Sequence, residues 1–96
     1  MGMGTNPFRY NGTQVVSYTG TAANSSAVGS QTYAVRLVAT TACHVRINAT
    51  TPTAVTTDTY LAALAPAEYV AVSPGDIISA VQDASNGKLY ITELTY

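Results

Sequence analysis

Ionised side chains are scarce in this sequence. Charged residues make up 9% of its 96 residues, with four Lys and Arg against five Asp and Glu. An ordinary globular chain carries about 25%. The formal net charge is −1, so there is no basic surface of the kind that nucleic acid selects. The single cysteine, Cys43, cannot close an internal disulfide framework. Tryptophan is absent, and phenylalanine and histidine occur once each. No apolar run approaches the roughly 18 residues of a membrane-crossing helix. The opening Met1–Pro7 has neither a basic start nor an apolar stretch, so a secretory signal is not expected. Asn6 stands where a myristoylation signal needs Ser or Thr. The length suits one domain with a small core.

Chemistry is as thinly provided. A hydrolytic triad needs a nucleophile, a base and a group that orients the base. His44 is the only candidate base, and no glycine-flanked nucleophile elbow accompanies it. Arginine neighbours at positions 36 and 46 are expected to disfavour its protonated form. It reads as a surface or interface histidine. Cys43 shares parity with Val45 and Ile47 and reads as a small buried hydrophobe. Adjacent in one strand, Cys43 and His44 point to opposite faces and cannot share a metal. Asp58 among threonines is the best of the scattered carboxylates for calcium, and it stands alone. No phosphate-cradling glycine loop is present. No catalytic, cofactor or metal site is expected, and the chain does not read as an enzyme.

Thr, Ala, Val and Tyr fill the chain, and Thr, Val and Tyr favour strands. Gln31–Thr40 places Tyr33, Val35, Leu37 and Ala39 on one parity, and Ala42–Asn48 does the same with Cys43, Val45 and Ile47. Each run reads as a half-buried strand. Were Thr40–Ala42 a hairpin turn, all the apolar pairs would coincide, but Arg36 would face Arg46, which is unfavourable. Three solutions are open: a slip of two that brings Arg36 opposite His44, an anion between the arginines, or a corner between two sheets. Further strands are expected at Gln14–Tyr18, Val55–Tyr60, Glu68–Val72, Ile77–Gln82 and Lys88–Thr95. Apolar residues at both parities imply that Ile77–Gln82 is covered on both sides. Residues 19–30 read as a small-residue loop and 61–67 as loop or one helical turn. About seven short strands with turns every eight to twelve residues predict an all-β fold. The candidates are a small antiparallel β-sandwich or barrel, the jelly roll among them. Residues 1–13 are expected as an extended N-terminal arm on a single β-domain, 14–96.

With so little charge, the surface must be built of Thr, Ser, Asn and Ala. Such a surface costs little to desolvate and suits a protein packed against others. The residues expected at the interface are Phe8, Arg9 and Tyr10 as a tether, and Val15 and Val16 on a strand able to join a neighbour's sheet edge. Arg36, His44 and Arg46 complete the set. Arginine is favoured at interfaces because its planar fork pairs with carboxylates. Seven tyrosines, spread along the whole chain, add amphipathic rings suited to interfaces or sugar stacking.

Several motifs recur in a familiar order: Val35-Arg-Leu-Val-Ala-Thr40, Cys43-His-Val-Arg-Ile47, Pro52-Thr-Ala-Val55 and Asp58-Thr-Tyr-Leu61. Glu68-Tyr-Val70, the Pro74-Gly-Asp76 turn and Leu89-Tyr-Ile-Thr-Glu-Leu94 continue the series. In this order and spacing, Gln31–Leu94 resembles small virion proteins of tailed bacteriophages and prophages, including head decoration (cement) proteins and head- or tail-associated adaptors. One departure is that Leu61-Ala62 stands where such proteins often have Leu-Pro, with Pro66 displaced. The resemblance implies a non-enzymatic structural part of a phage particle, made in the host bacterial cytoplasm and placed on the capsid surface. Its implied partners are the major capsid protein or other virion proteins. It also implies a symmetric homo-oligomer, a trimer first among the forms. No cofactor, nucleic acid or membrane is implied. The alternative is a glycan- or receptor-binding or adaptor module on a head fibre or tail.

Overall fold

A computed structural model describes residues 9–95. The described chain forms eight strands and no helix: β1 (Arg9–Tyr18), β2 (Ala23–Asn24), β3 (Ala34–Ala39), β4 (Cys43–Asn48), β5 (Thr59–Leu61), β6 (Glu68–Ala71), β7 (Ile77–Gln82) and β8 (Gly87–Thr95). They make two four-stranded antiparallel sheets packed as a small β-sandwich. Sheet A runs β1-β8-β3-β6 and sheet B runs β2-β7-β4-β5. The pairs nest: β1 with β8, β2 with β7, β3 with β6, β4 with β5. The chain is thus doubled back like one long hairpin, turned between β4 and β5, then wrapped over two layers.

Alternation builds the core. Val16 and Tyr18 of β1, Val35, Leu37 and Ala39 of β3, and Leu89 and Ile91 of β8 point inward from sheet A. Cys43 and Val45 of β4 and Ile78 and Ala80 of β7 meet them from sheet B. Each fully buried Val, Leu or Ile contributes roughly 1.5–3 kcal/mol. The thiol of Cys43 is fully buried. Burial pushes its pKa up, partly opposed by a hydrogen bond with Tyr18.

The third solution for the two arginine strands is the one observed. β3 and β4 do not pair; Thr40–Ala42 is a corner that carries the chain from sheet A to sheet B. Arg36 lies opposite Tyr69 and Thr92, and Arg46 opposite Ser79, so the like charges never meet. Tyr18, buried at the end of β1, pins this corner. Its hydroxyl donates to the Thr41 carbonyl at 2.6 Å and accepts from the Thr41 amide at 3.2 Å. The second corner, Asp83–Asn86, lies at the same end, where the Asp83 amide donates to the Ala42 carbonyl. Asn86-Gly87 therefore closes no tight hairpin. Gly87 is required by space: a Cβ there would collide with Thr41 Oγ1 and the Tyr18 hydroxyl.

Other boundaries move. β1 begins at Arg9, so residues 9–13 of the expected arm are strand, paired from Arg9↔Thr95 to Thr13↔Thr92. A bulge lies between Tyr10 and Thr13, where Gly12 adopts φ 108°, the conformation that glycine supplies in such bulges. Residues 1–8 of that arm, Phe8 included, lie outside the described residues. The expected strand 55–60 shortens to β5, because Asp58 closes a turn: its amide donates to Val55 O, and Val55 N donates to Asp58 Oδ2. The small-residue loop contributes the two-residue β2.

Candidate functional site

The two outer faces of the sandwich differ in kind. On sheet B, His44, Arg46, Ser79 and Val81 point outward, and residues 49–58 lie across them. The Ala54 amide donates to Ser79 Oγ at 3.0 Å, and Asn24 Nδ2 donates to the Pro52 carbonyl at 3.1 Å. Ser79 and Val81 of β7 are buried on this face, and so is Ala54 of the strap. The strap covers β7 from outside, as the apolar composition of β7 on both parities demands.

His44 fastens the strap. Its Nδ1 lies 3.0 Å from the Asp58 carbonyl oxygen and its Nε2 2.8 Å from Asp83 Oδ1. The ring meets Tyr60 edge-on at 5.6 Å. It is 7% exposed, so it is a buried clasp rather than a free surface histidine. The hydrogen bond with Asp83, then the Asp58 carbonyl, raises its pKa against the opposing effect of burial. The arginines expected to depress it do not decide the matter: Arg36 is in the other sheet, and Arg46 is neutralised locally. Arg46 Nε and Nη2 donate to Asp58 Oδ1 at 3.1 and 3.0 Å. The Val55 amide and this guanidinium hold the Asp58 carboxyl below its ordinary range. Arg46 is therefore paired within the chain, and the Asp58 carboxylate is occupied. Among the described residues no group of three or more His, Cys, Asp or Glu is placed to hold a metal ion.

The outer face of sheet A is only partly covered: Leu94 and Ala34 are buried on it, while other residues of the same parity are exposed. The register puts Tyr10, Thr13 and Val15 of β1 on its outer face, beside Leu94, Thr92 and Tyr90 of β8. Ala34, Arg36 and Val38 of β3 follow, then Ala71 and Tyr69 of β6. Tyr10 is 70% exposed, Tyr69 54% and Val15 50%. Lys88 adds a positive charge on the same parity, and among the described residues no carboxylate side chain shares this face. Around Arg36 the surface dips into a recess of about 320 Å³ lined by Tyr10, Thr13, Arg36 and Thr92. Thr13 and Thr92 present their hydroxyls to one another at 3.4 Å.

A second cavity of about 330 Å³ opens between the edge strands β5 and β6. Leu37, Val45, Ile47, Leu61 and Val70 form its apolar wall, and Arg46, Asp58, Thr59 and Glu68 its polar part. Its size is at the lower end for a small-molecule site.

The structure brings together Tyr10, Val15 and Arg36 from the expected interface set. Arg9 is exposed at the start of the same strand. The Val16 side chain is 3% exposed and packs in the core, so it adds nothing to the outer face. His44 and Arg46 lie on β4 of the opposite sheet, where both hold Asp58 of the strap. Sequence reasoning did not group Thr13, Tyr69, Tyr90 and Thr92 around Arg36. Their outward parity was legible in each strand; the strand order that makes them neighbours was not. No family model, curated protein or solved structure matches this chain.

Proposed function

We propose that this protein is a structural component of a bacteriophage particle, a decoration or cement protein that docks on the capsid through the outer face of sheet A. The observation that carries the reading is the one-sided sandwich. One face is crossed by the chain's own strap, which buries Ser79 and Val81, and the other carries Tyr10, Tyr69, Tyr90 and Val15 exposed. Exposed apolar residues gathered on one face mark interaction surfaces, and tyrosine is enriched in them. The nested strand order supports the jelly-roll form of the sandwich, a fold used by viral capsid domains and by lectins. Fold alone does not choose between these. The low charge and the sequence resemblance favour the capsid role. Bound only to the assembled shell, such a protein stabilises it by linkage, more strongly as occupancy rises. A symmetric oligomer lets one small domain bridge several subunits at an axis.

The test is to image intact particles of the phage that encodes the chain. Density for the sandwich over capsid seams, with sheet A facing the shell, is the expected result. Particles that lack the chain, or carry it with sheet A facing solvent, overturn the reading. The second reading, a glycan-binding module, draws on the exposed tyrosine rings beside a polar recess. It predicts that rings on sheet A broaden in NMR spectra on adding host-surface oligosaccharide.

A further inference from the structure

Arg36 is more than an apolar docking face requires. It lies at the centre of sheet A, half-buried, with Thr92 on one side and Tyr69 on the other. Among the described residues no hydrogen bond or ion pair engages its guanidinium. Arg46, by contrast, is paired with Asp58 within the chain. A partner that covers sheet A also covers Arg36. Removing a guanidinium from water is costly unless an anion meets it there. The partner must therefore bring the missing charge.

The surroundings define that charge. Among the described residues both charged side chains on the face, Arg36 and Lys88, are positive. The recess beside Arg36 offers two threonine hydroxyls and the Tyr10 ring. A planar guanidinium fork matches the two oxygens of a carboxylate. Val15, Val38 and Tyr90 extend the face as an apolar surface, which suits a protein better than a hydroxyl-rich sugar. Within the chain, Asp58, Asp76, Asp83 and Glu93 accept hydrogen bonds from other groups, and Glu68 is exposed at the start of β6, so none of them meets Arg36.

We infer that Arg36 anchors a docking site for a protein partner that inserts an Asp or Glu side chain into the recess formed with Tyr10, Thr13 and Thr92. The inference rests on the reading of sheet A as the docking face. It adds the chemistry of the partner's central residue.

The probe is a capped Val-Glu-Val tripeptide titrated into the full chain and followed by amide and arginine side-chain NMR. Its Val-Gln-Val analogue, glucuronate and inorganic phosphate serve as comparison arms. The glutamate peptide is expected to shift Arg36 Nε–H and the Thr13 and Thr92 amides saturably. The glutamine analogue is expected to bind about tenfold more weakly, the loss of one charge-assisted pair. Arg36→Gln should abolish the shifts, Arg36→Lys should weaken them, and Lys88→Gln should leave them. Tighter binding of glucuronate would assign the recess to acidic sugars. Equal binding of phosphate would make it an unselective anion hole. Either result, or the absence of shifts at Arg36, overturns the inference. Particle binding separates the two levels. If Tyr90→Ser releases the protein and Arg36→Gln does not, the carboxylate socket is wrong and the docking face stands. If neither variant matters, the docking face falls as well.

Discussion

His44 makes the stability of the fold depend on pH in a direction that geometry alone determines. Both of its ring nitrogens meet acceptors: the Asp58 carbonyl at 3.0 Å and Asp83 Oδ1 at 2.8 Å. A neutral imidazole has one N–H and the imidazolium has two, so only the charged ring satisfies both partners. The folded pKa is accordingly raised above the ordinary 6.5, chiefly by Asp83. A raised folded value means that the contribution is complete below 6.5 and is lost as pH climbs through the folded value. Deprotonation removes one charge-assisted bond, about 1.5–3 kcal/mol when well shielded. The Asp83 side chain is 44% exposed, so solvent screening reduces this to about 1 kcal/mol. For a domain of this size that lowers Tm by about 4–8 °C. Calorimetric melts from about pH 5.5 to about pH 9 should show this fall, and His44→Gln should flatten it. Nitrogen-15 spectra should report both ring nitrogens protonated near pH 6. A histidine pKa below 6.5, or a wild-type melting curve indifferent to pH across this range, would refute the reasoning.

Four other outcomes can be checked by melts. Tyr18→Phe removes the hydroxyl that pins the Thr40–Ala42 corner and should cost about 1–2 kcal/mol. Gly87→Ala forces a Cβ against Thr41 and Tyr18 and should cost about 1–3 kcal/mol; unchanged stability would mean that the corner is loose. Glu93 accepts from the Gly29 amide, Thr32 Oγ1 and Gln14 Nε2. Burial pushes its carboxyl up, but these bonds outweigh it and hold the group below its ordinary 4.5. The stabilisation is present above that value and lost as pH falls through the depressed one, so Glu93→Gln should blunt the acid limb of the stability profile. Removing residues 1–13 strips three strand pairs from β1 and should lower Tm, where a simple arm would leave it unchanged.

The sequence by itself determined the all-β class and the inward set of each strand. Val35, Leu37 and Ala39, then Cys43 and Val45, and then Leu89 and Ile91 are core residues because side chains alternate along any strand. The turn at Pro74–Asp76 and the burial of Cys43 were legible for similarly local reasons. Tertiary structure decided which strands are neighbours. Parity says which face a residue occupies and nothing about the strand beside it, so the separation of Arg36 from Arg46 across two sheets was one open possibility among three. The same limit concealed the clasp: His44 meets Asp83, 39 positions away, only because the strap and the second corner converge on β4. It also concealed the recess, since Thr13, Arg36 and Thr92 share a row only once β8 lies between β1 and β3. Local chemistry set the faces; long-range pairing set the site, because a strand's hydrogen bonds are satisfied equally well by any partner that the rest of the chain brings alongside.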